Sequence, residues 1–466
     1  MESVILRSLN RGKNMNNCSR RTFLRHTTAA ALLTCGGRLA LASPKLQPKL
    51  SDEDVLSQCN DRIQKHRLGD GTLTARTASG QPVAQARVRL EQTRHEFLFG
   101  SNFFEFARLK DTALQEQYNE RFATLLNYAT LPFYWPMYEP QRGQPAHAHA
   151  EKAADWCRTH GITCKGHPLV WDFVDPRWLP REFEEIRRLS HERVTDCIRR
   201  FAGKIDRWDV VNEPTHLGRF GTRLGEWAQS LGAVPYVRQH LETARAAGPK
   251  ATLLVNDYRV DMPFYQILDQ LRASGRLMFD VVGIQSHMHH RVWPLEKVWQ
   301  VCDLYAQLGL PIHFTEITIL SGAFLGKDPK RKSNVFSDEE LWGESTPELE
   351  ARQAEQVERF YTALFAHPAV HAVTWWDFSD LKAWKRAAAG WLRKDMSPKP
   401  AYEKLRALIK GRWWSKLDGH TDAKGRLRAR LCYGDYQAAI TLPNGDEIKR
   451  SVSWSRQSER NPVVTI

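Results

Sequence analysis

The chain has 466 residues, of which 42% are hydrophobic and 26% charged, as in an ordinary globular protein with a large buried core. Its formal charge at pH 7 is +14, but seven basic residues and one acidic residue lie in the first 42, so the remainder carries about +8. Basic runs interleaved with aromatics do not occur, and no segment beyond residue 42 approaches the length of a membrane span. These features exclude a typical nucleic-acid-binding surface and a typical membrane-spanning protein, and we expect neither partner.

The N-terminal segment, residues 1–42, has the pattern of an export signal. Ser19-Arg-Arg-Thr-Phe-Leu-Arg25 is a twin-arginine motif, and an apolar stretch and the small-x-small sequence Ala40-Leu-Ala42 follow it. We therefore predict that residues 1–42 are a twin-arginine-type signal peptide and that the mature protein is periplasmic or extracellular. Because such a protein folds before export in a reducing compartment, we expect its six remaining cysteines to be buried thiols without a disulfide framework.

The next segment, residues 43–94, is interpreted as two short units. Residues 43–70 form a linker with a short helix, because Ser51 and Asp54 have capping-box spacing. Residues 71–94 alternate in period two on either side of a turn at residues 78–82, which predicts a small antiparallel β unit.

From residue 95 to residue 411 strand patterns and helix patterns alternate. Eight strands are predicted: Glu96–Ser101, Tyr128–Trp135, Thr163–Trp171, Arg207–Asn212, Ala251–Asn256, Asp280–Ser286, Pro311–Glu316 and Ala372–Phe378. The clearest helices between them are Ala150–His160, Arg181–Gly203, Met262–Ser274, Leu295–Leu308 and Leu349–Ala366. This count predicts an α/β fold of the (β/α)8 TIM-barrel type. A doubly wound open sheet is the alternative, but the chain has no G-x-G-x-x-G phosphate loop to favour it.

Two further stretches stand out by composition. Residues 412–466 carry repeated turn signals, such as Asp418-Gly419 and Asn444-Gly445, with short alternating runs between them, which predicts a second small β module. Ser321–Ser345 is long, polar and loop-like, and it follows the seventh predicted strand. Long loops at that position build or cover active sites.

Two glutamates stand at the ends of predicted strands. The run Trp208–Val211 is followed by Asn212 and Glu213 and broken by Pro214, and Glu316 ends the seventh strand. Because the fourth and seventh strands lie on opposite sides of an eight-stranded ring, their end residues should face each other across its mouth. Such a carboxyl pair is what the hydrolysis of a sugar bond requires, with retention or inversion decided by the distance between the carboxyls.

Polar and aromatic residues at neighbouring strand ends fit the same chemistry. Asn212 could hold a sugar hydroxyl, and Gln285 and His287 should point the same way by strand alternation. The cluster His287, His289 and His290 lacks an acidic or cysteine ligand at motif spacing, so we predict no metal site. Six tryptophans at or just after strand ends serve either the core or sugar stacking: Trp135, Trp171, Trp178, Trp375, Trp376 and Trp384.

Taken together, six ordered motifs resemble family-10 glycoside hydrolases, the retaining endo-β-1,4-xylanases. They are Gly-His-Pro-Leu-Val-Trp (166–171), Trp-Asp-Val-Val-Asn-Glu (208–213), Asn-Asp-Tyr (256–258), Gly-Ile-Gln-Ser-His (283–287), Phe-Thr-Glu-Ile (314–317) and Pro-Lys-Pro-Ala-Tyr (398–402). The resemblance implies that Glu213 is the acid/base and Glu316 the nucleophile, without a cofactor. It also implies the following substrate-binding residues: Asn212, His167, Trp171, Asp172, Trp178, Tyr258, Gln285, His287, Trp376 and Trp384.

The chain also departs from that family at the −1 and −2 sugar sites. Thr130, Leu131 and Tyr134 stand where the family carries Glu-Asn and a nearby Lys that grip the −2 sugar. After Trp171, Asp172 replaces a histidine and Val174 replaces a glutamine. Thr318 replaces the usual aspartate two residues beyond the nucleophile, so we expect His287 to lack its carboxylate partner.

We therefore expect an exported, monomeric retaining glycoside hydrolase that cleaves β-1,4-linked plant-type polysaccharide or oligosaccharide, with xylan as the first candidate. One alternative is the same chemistry on another β-glycan, including an acidic one attracted by the positive charge. The other is a carbohydrate-binding barrel that has lost turnover because of Asp172 and Thr318. Intact Glu213 and Glu316 favour the enzyme.

Overall fold

A computed structural model describes residues 50–328, 339–442, 445–456 and 461–466. The predicted export signal therefore lies outside the described residues. The described chain opens with the helix Asp52–Arg67, whose capping box is reciprocal: Ser51 Oγ accepts from the Asp54 N–H at 3.1 Å, and the Asp54 carboxylate accepts from the Ser51 N–H at 2.9 Å. The helix predicted from this spacing is confirmed. In the described part of the chain, no helix combines the length and apolarity needed to cross a bilayer.

Eight parallel strands close into a barrel, in which each strand pairs with the next along the chain and the eighth pairs with the first. In chain order these barrel strands are Leu98–Asn102, Tyr128–Pro132, Thr163–His167, Arg207–Asn212, Thr252–Asp257, Val281–Met288, Ile312–Ile319 and Val370–Trp375. They are almost entirely buried and rich in Val, Ile and Leu, as expected for a parallel sheet covered by helices. The predicted (β/α)8 barrel is confirmed, and the doubly wound alternative is wrong because the sheet closes.

Helices surround the barrel and pack their apolar faces against it. They are Thr112–Leu125, Trp135–Tyr138, His147–Thr159, Phe183–Arg200, Arg223–Leu231, Ala233–Ala247, Met262–Gln270, Leu295–Ala306, Pro347–Ala366 and Pro400–Ala407. Three single turns, Pro214–His216, Trp384–Arg386 and Leu408–Arg412, and the short strand pair Arg272–Ala273 and Arg276–Leu277 complete this part. The six cysteines of the described chain are free and buried, in agreement with the expected thiols.

Strands from both ends of the chain together build a second core. A three-stranded sheet joins Arg426–Cys432, Leu68–Arg76 and Val463–Thr465, and a four-stranded sheet joins Lys416–His420, Arg87–His95, Gly434–Thr441 and Glu447–Trp454. The apolar faces of these strands share one buried cluster that includes Leu73, Val88, Leu431 and Trp454. The expectation of two separate β units needs correction, because strands of the N-terminal segment pair with strands of the C-terminal segment in both sheets. The Asn444 part of the predicted turn lies outside the described residues.

The polar stretch after the seventh barrel strand is also not a simple loop. Gly322–Lys327 and Glu340–Ser345 pair as antiparallel strands, for which we use the name mouth hairpin. The sequence pattern missed these strands because their residues are mostly exposed or half-buried and show little apolar alternation. The hairpin rises from the same edge of the barrel as the strand that carries Glu316.

Candidate active site

Glu213 directly follows the fourth barrel strand and is 6% exposed. Its backbone is left-handed, with φ of 56°, and its N–H donates to the carbonyl of Asn256 at 2.7 Å. A non-glycine residue in this conformation is costly and commonly marks a functional site. Here it turns the side chain towards Gln285, whose Nε2 donates to Glu213 Oε1 at 3.1 Å, while Arg219 forms an ion pair with Oε2.

Burial raises the pKa of Glu213 from its ordinary value of 4.5 to about 8. The nearby guanidinium of Arg219 opposes this rise, and the negative charges of Glu316 and Asp257 add to it. Glu213 therefore retains its proton to a higher pH than an ordinary glutamate does.

Glu316 lies in the seventh barrel strand, 4% exposed, and its two oxygens are held from different sides. Asn256 Nδ2 donates to Oε1 at 2.8 Å, and His287 Nε2 lies 3.0 Å from Oε2. Burial acts to raise the pKa of Glu316, but the positive charge of His167 and the hydrogen bond and charge of His287 outweigh it and hold the pKa below the ordinary value. Glu316 is therefore ionised at neutral pH.

A chain of hydrogen bonds joins the two carboxyl groups through Asn212. The Oδ1 atom of Asn212 accepts from Asn256 Nδ2 at 2.7 Å and from Gln285 Nε2 at 3.2 Å. The same amide groups donate to the acids: Asn256 to Glu316, and Gln285 to Glu213. One hydrogen-bonded set of amides therefore links both acids. Asn212 Nδ2 is buried and has no acceptor within the described part of the protein. It is thus a ready donor to a ligand.

Asn256 owes its position to two neighbours on adjacent strands. Thr315 Oγ1 donates to Asn256 Oδ1 at 2.5 Å, which fixes the amide so that its nitrogen faces Glu316. A Cβ at Gly283 would come within 2.5 Å of that same Oδ1 atom, so glycine is needed there for space. The motif that contains Gly283 therefore serves the site indirectly.

Behind Glu316 lies a buried charged network that the sequence analysis did not identify. Asp209 Oδ2 accepts from Lys165 Nζ at 2.6 Å and from His167 Nδ1 at 2.7 Å, and all three side chains are at most 1% exposed. Since Nδ1 of His167 faces Asp209, its Nε2 faces the nucleophile side, 3.9 Å from Glu316 Oε1. The network places positive charge beside Glu316 and fixes the imidazole ring.

His287 is oriented by a hydroxyl where the family resemblance implied a carboxylate. Thr318 Oγ1 lies 2.8 Å from His287 Nδ1, and His287 Nε2 faces Glu316. A hydroxyl fixes the ring orientation without adding a negative charge. His287 is thus held by one hydroxyl, from Thr318, and by one carboxylate, from Glu316.

Aromatic rings line the pocket above the two acids. The ring of Trp376 packs edge-on against the rings of His167 and His287, with centroid distances of 5.4 Å and 6.0 Å. The ring centroid of Trp384 lies 4.7 Å from that of His287. Tyr134 lies edge-on to His167 at 5.9 Å, and the negative charges of both glutamates add to the burial that raises its pKa well above the ordinary value. Tyr134 thus lies where the charges of both acids act on it, at the position for which the family resemblance implied a lysine.

Trp171, Trp178, Asp172 and Tyr258 lie further out. Trp171 stacks on Phe173 at 4.2 Å, whereas Trp178 donates to the Glu139 carbonyl at 2.9 Å. Asp172 is buried, and it accepts from the Gly218 N–H at 2.6 Å and so anchors the loop that carries Arg219. Tyr258 OH accepts from Arg219 Nη1 at 2.7 Å and stacks on His216. Asp172 and Tyr258 thus contact the Arg219 loop.

Several polar residues of this site were assigned no role from the sequence, among them Asp209, Asn256 and Arg219. Asp209 was counted within an apolar run, although a charged residue in a buried strand is itself a signal for a buried partner. Asn256 ends the fifth strand, and that position alone could have identified it. Arg219 lies in a loop with no periodic pattern, and no sequence signal distinguishes it.

The pocket combines a carboxyl group with a raised pKa, a carboxyl group with a lowered pKa and an amide donor without an acceptor in the described chain. Two carboxyl groups whose surroundings move their pKa values apart can act as acid and nucleophile or base in one reaction. Within the described residues, no group of three or more His, Cys, Asp or Glu side chains is arranged to hold a metal ion. The arrangement suits hydrolysis of a bond between sugars.

Comparisons with known proteins give the same picture. The model of Glycosyl hydrolase family 10 matches residues 97–408. The chain is 25% identical over 415 residues to Anti-sigma-I factor RsgI6 of Acetivibrio thermocellus, which covers 86% of this chain and 49% of that protein. It is 27% identical over 294 residues to Endo-1,4-beta-xylanase B of Thermotoga neapolitana, which covers 59% of this chain and 78% of that protein. The chain thus spans about half the length of the first relative.

Among solved structures, native xylanase 10B from Thermotoga maritima superposes with a TM-score of 0.56 at 22% identity. The match covers 68% of this chain and 96% of that one. A GH10 structure from Paenibacillus barcinonensis gives a TM-score of 0.55 at 20% identity and covers 68% of this chain and 94% of that one. These likenesses show the shared barrel fold.

Proposed function

Because this chain belongs to glycosyl hydrolase family 10, we propose that it is a retaining endo-1,4-β-xylanase that acts through a glycosyl-enzyme intermediate. The main support for the proposal is that the pKa values of two carboxyl groups in one pocket are shifted in opposite directions. The pKa of Glu213 is raised to about 8 and that of Glu316 is lowered, so one group donates a proton while the other attacks.

In the first step, the Glu213 proton moves to the glycosidic oxygen as the bond between that oxygen and the anomeric carbon breaks. A Glu316 oxygen forms an ester bond to the same carbon. In the second step, the Glu213 carboxylate takes a proton from water, and the water oxygen attacks the anomeric carbon. The ester bond then breaks and Glu316 leaves as a carboxylate, so two inversions give net retention.

Other residues of the pocket support these two steps. Asn212 Nδ2, which has no acceptor in the described chain, would donate to a sugar hydroxyl beside the reacting carbon. Arg219 would stabilise the carboxylate that Glu213 becomes after it gives up its proton. We assign Trp376 and Trp384 to sugar stacking, with His167, Gln285 and His287 beside the reacting sugar. Trp171, Trp178, Asp172 and Tyr258 would shape the outer pocket.

Xylan is the substrate that the relatives' names favour, since several are called endo-1,4-beta-xylanase. The second barrel strand limits this assignment. Leu131 is apolar and fully buried, and Thr130 is likewise fully buried with a hydroxyl that has no partner within the described part. Tyr134 adds a ring near the acids. These residues supply no charged hydrogen-bond donor for a −2 sugar.

A polysaccharide panel tests the proposal. Xylan, mixed-linkage glucan, glucomannan and a uronic-acid polysaccharide would be incubated with the mature chain, and products would be sized by chromatography. Release of xylo-oligosaccharides of several lengths supports endo-xylanase action. Products from a different glycan alone would retain the chemistry and replace the substrate. Binding without products from any member would contradict the enzyme and favour a binding barrel.

We also propose that residues 1–42 direct export through the twin-arginine pathway and that the mature chain acts as a monomer with residues 95–411 as its catalytic unit. The support is the Arg20-Arg21 motif with its apolar stretch and cleavage pattern. Fusion of residues 1–42 to a reporter should give export that is lost in the Arg20→Lys, Arg21→Lys variant. Export of the variant at the same level would contradict the signal.

A further inference from the structure

A row of aromatic rings leads from the nucleophile to the protein surface. It starts at His287, which binds Glu316, and continues through Trp384 at 4.7 Å from His287. His289 then lies 5.2 Å from Trp384 and 5.9 Å from Trp342 on the mouth hairpin. Phe324, on the other strand of that hairpin, follows at 5.1 Å from Trp342.

The outer end of this row is unusually apolar for a protein surface. Phe324 is 46% exposed, and the adjacent Leu325 is 64% exposed. Phe324 packs on Trp342, so the two rings form one partly exposed apolar patch, and such a patch commonly marks a contact surface. His290 closes the group, since its ring lies 5.0 Å from both Trp342 and Phe324.

Glu340, on the mouth hairpin, contacts two basic side chains beside the rings. Glu340 Oε1 lies 2.8 Å from His290 Nε2, and Glu340 Oε2 lies 3.4 Å from Lys385 Nζ. Burial, together with the charges of His287 and Lys385, lowers the pKa of His289 well below its ordinary value, so this ring is neutral. A surface of rings and compensated charges suits an uncharged ligand with apolar faces.

We propose that Trp342 and Phe324 of the mouth hairpin form a platform that binds an additional uncharged sugar ring of the substrate chain, beyond the catalytic pocket. The inference rests on the proposed function, because the platform is continuous with the pocket that contains Glu316. Pyranose rings present C–H faces that pack on aromatic rings, and their hydroxyls bind polar tips.

The platform predicts a dependence on substrate length. The specificity constant kcat/KM would be measured for xylohexaose and for the short substrate 4-nitrophenyl β-xylobioside, with Phe324→Ala and Trp342→Ala compared with the unaltered chain. Loss of one aromatic stacking contact should lower the ratio of long to short kcat/KM about threefold to tenfold. Phe324 is nearly half exposed, so Phe324→Ala should fold normally even if Trp342→Ala does not.

Trp414 supplies the matched control. It is half-buried like Trp342, but its ring lies 5.2 Å from His95, which precedes the first barrel strand and so lies at the opposite end of the barrel. Trp414→Ala should keep the ratio of the unaltered chain. An unchanged ratio in Phe324→Ala and in folded Trp342→Ala, or an equal fall in Trp414→Ala, overturns the platform.

A second readout separates this inference from the proposed function. Migration in native gels that contain xylan reports binding without turnover. If xylan in the gel slows the unaltered chain but the chain hydrolyses neither substrate, the proposed function fails. Gel migration of the variants then tests the platform by itself. Faster migration of Phe324→Ala than of Trp414→Ala supports the platform, and equal migration, or no retardation of the unaltered chain, overturns it.

Discussion

Arg219 forms an ion pair with Glu213, the carboxyl group to which we assign the proton-donor role. The same guanidinium donates to the hydroxyl of Tyr258 at 2.7 Å and lies over the ring of Phe220 at 4.3 Å. Its positive charge lowers the pKa of Glu213, against the burial that raises it to about 8. Arg219 therefore balances two needs of the reaction, since Glu213 must be protonated in the first step and ionised in the second.

The pH dependence of kcat/KM should follow these two groups. Glu213 must be protonated to act, so activity is lost as pH rises through its pKa of about 8. Glu316 must be ionised, so activity is lost as pH falls through a pKa that lies below the ordinary 4.5. A pH profile with soluble xylo-oligosaccharides checks this. A single limb, or an alkaline limb near pH 5, would contradict the assignment.

The substitution Arg219→Met should move the alkaline limb to higher pH, because removal of the guanidinium leaves burial and the negative charges of Glu316 and Asp257 to raise the pKa of Glu213 further. The acidic limb should stay in place. Arg259→Met is the control, because Arg259 pairs with Asp261 in a neighbouring loop. A shift to lower pH in Arg219→Met, or the same shift in both variants, would disprove the role of Arg219.

Replacement of the two glutamates should have different consequences for different leaving groups. Glu213→Gln should lower kcat on xylan about 100-fold to 10,000-fold, the usual contribution of a general acid. Its effect on bond cleavage in a 4-nitrophenyl glycoside should be smaller, because nitrophenolate leaves without a proton. Glu316→Ala should abolish hydrolysis of both. Equal losses on both substrates in Glu213→Gln would be inconsistent with the acid role.

Thr318 gives a test of how His287 is positioned. Thr318→Val keeps the side-chain shape but removes the hydroxyl that lies 2.8 Å from His287 Nδ1. Loss of a hydrogen bond of about 1 kcal/mol should lower kcat/KM about fivefold. Thr318→Ser retains the hydroxyl and should remain within about twofold of the unaltered chain. Similar rates in the valine and serine variants would show that the hydroxyl does not orient the ring.

The buried pair Lys165 and Asp209 should be important for stability. Lys165→Met leaves a carboxylate without its ammonium partner in a fully buried position, which should cost about 3–5 kcal/mol of unfolding free energy. The double variant Lys165→Met, Asp209→Asn should lose less, because neither charge remains. Lys404→Met breaks an exposed pair with Glu358 and should cost less than about 1 kcal/mol. Urea unfolding measures all three, and equal losses in the two lysine variants would contradict the argument.

Local patterns predicted the barrel and the strands that carry its acids. Glu213 and Glu316 could be assigned to the fourth and seventh strands because both follow or end strongly apolar runs. Asn212 was predicted from its place at the end of the fourth strand, and Gln285 and His287 from strand alternation. These are features that a sequence encodes within a few residues.

Features that depend on distant pairing could not be predicted in the same way. Leu68–Arg76 pairs with Arg426–Cys432 across more than 300 residues, and no local pattern specifies that partner. The contact between Arg219 and Glu213 depends on a loop conformation, which in turn depends on Asp172 and Gly218. The mouth hairpin was missed because its strands are mostly exposed or half-buried and show little apolar alternation.

The most direct test of the account is to trap the glycosyl-enzyme intermediate. An aryl 2-deoxy-2-fluoro-β-xylobioside forms the ester quickly and loses it slowly, because fluorine destabilises the positively charged transition states and the good leaving group offsets this only in the first step. Mass spectrometry of the digested protein would then locate the added sugar. The account predicts one added disaccharide on Glu316, and a label on another residue, or products of inverted configuration with no label, would contradict it.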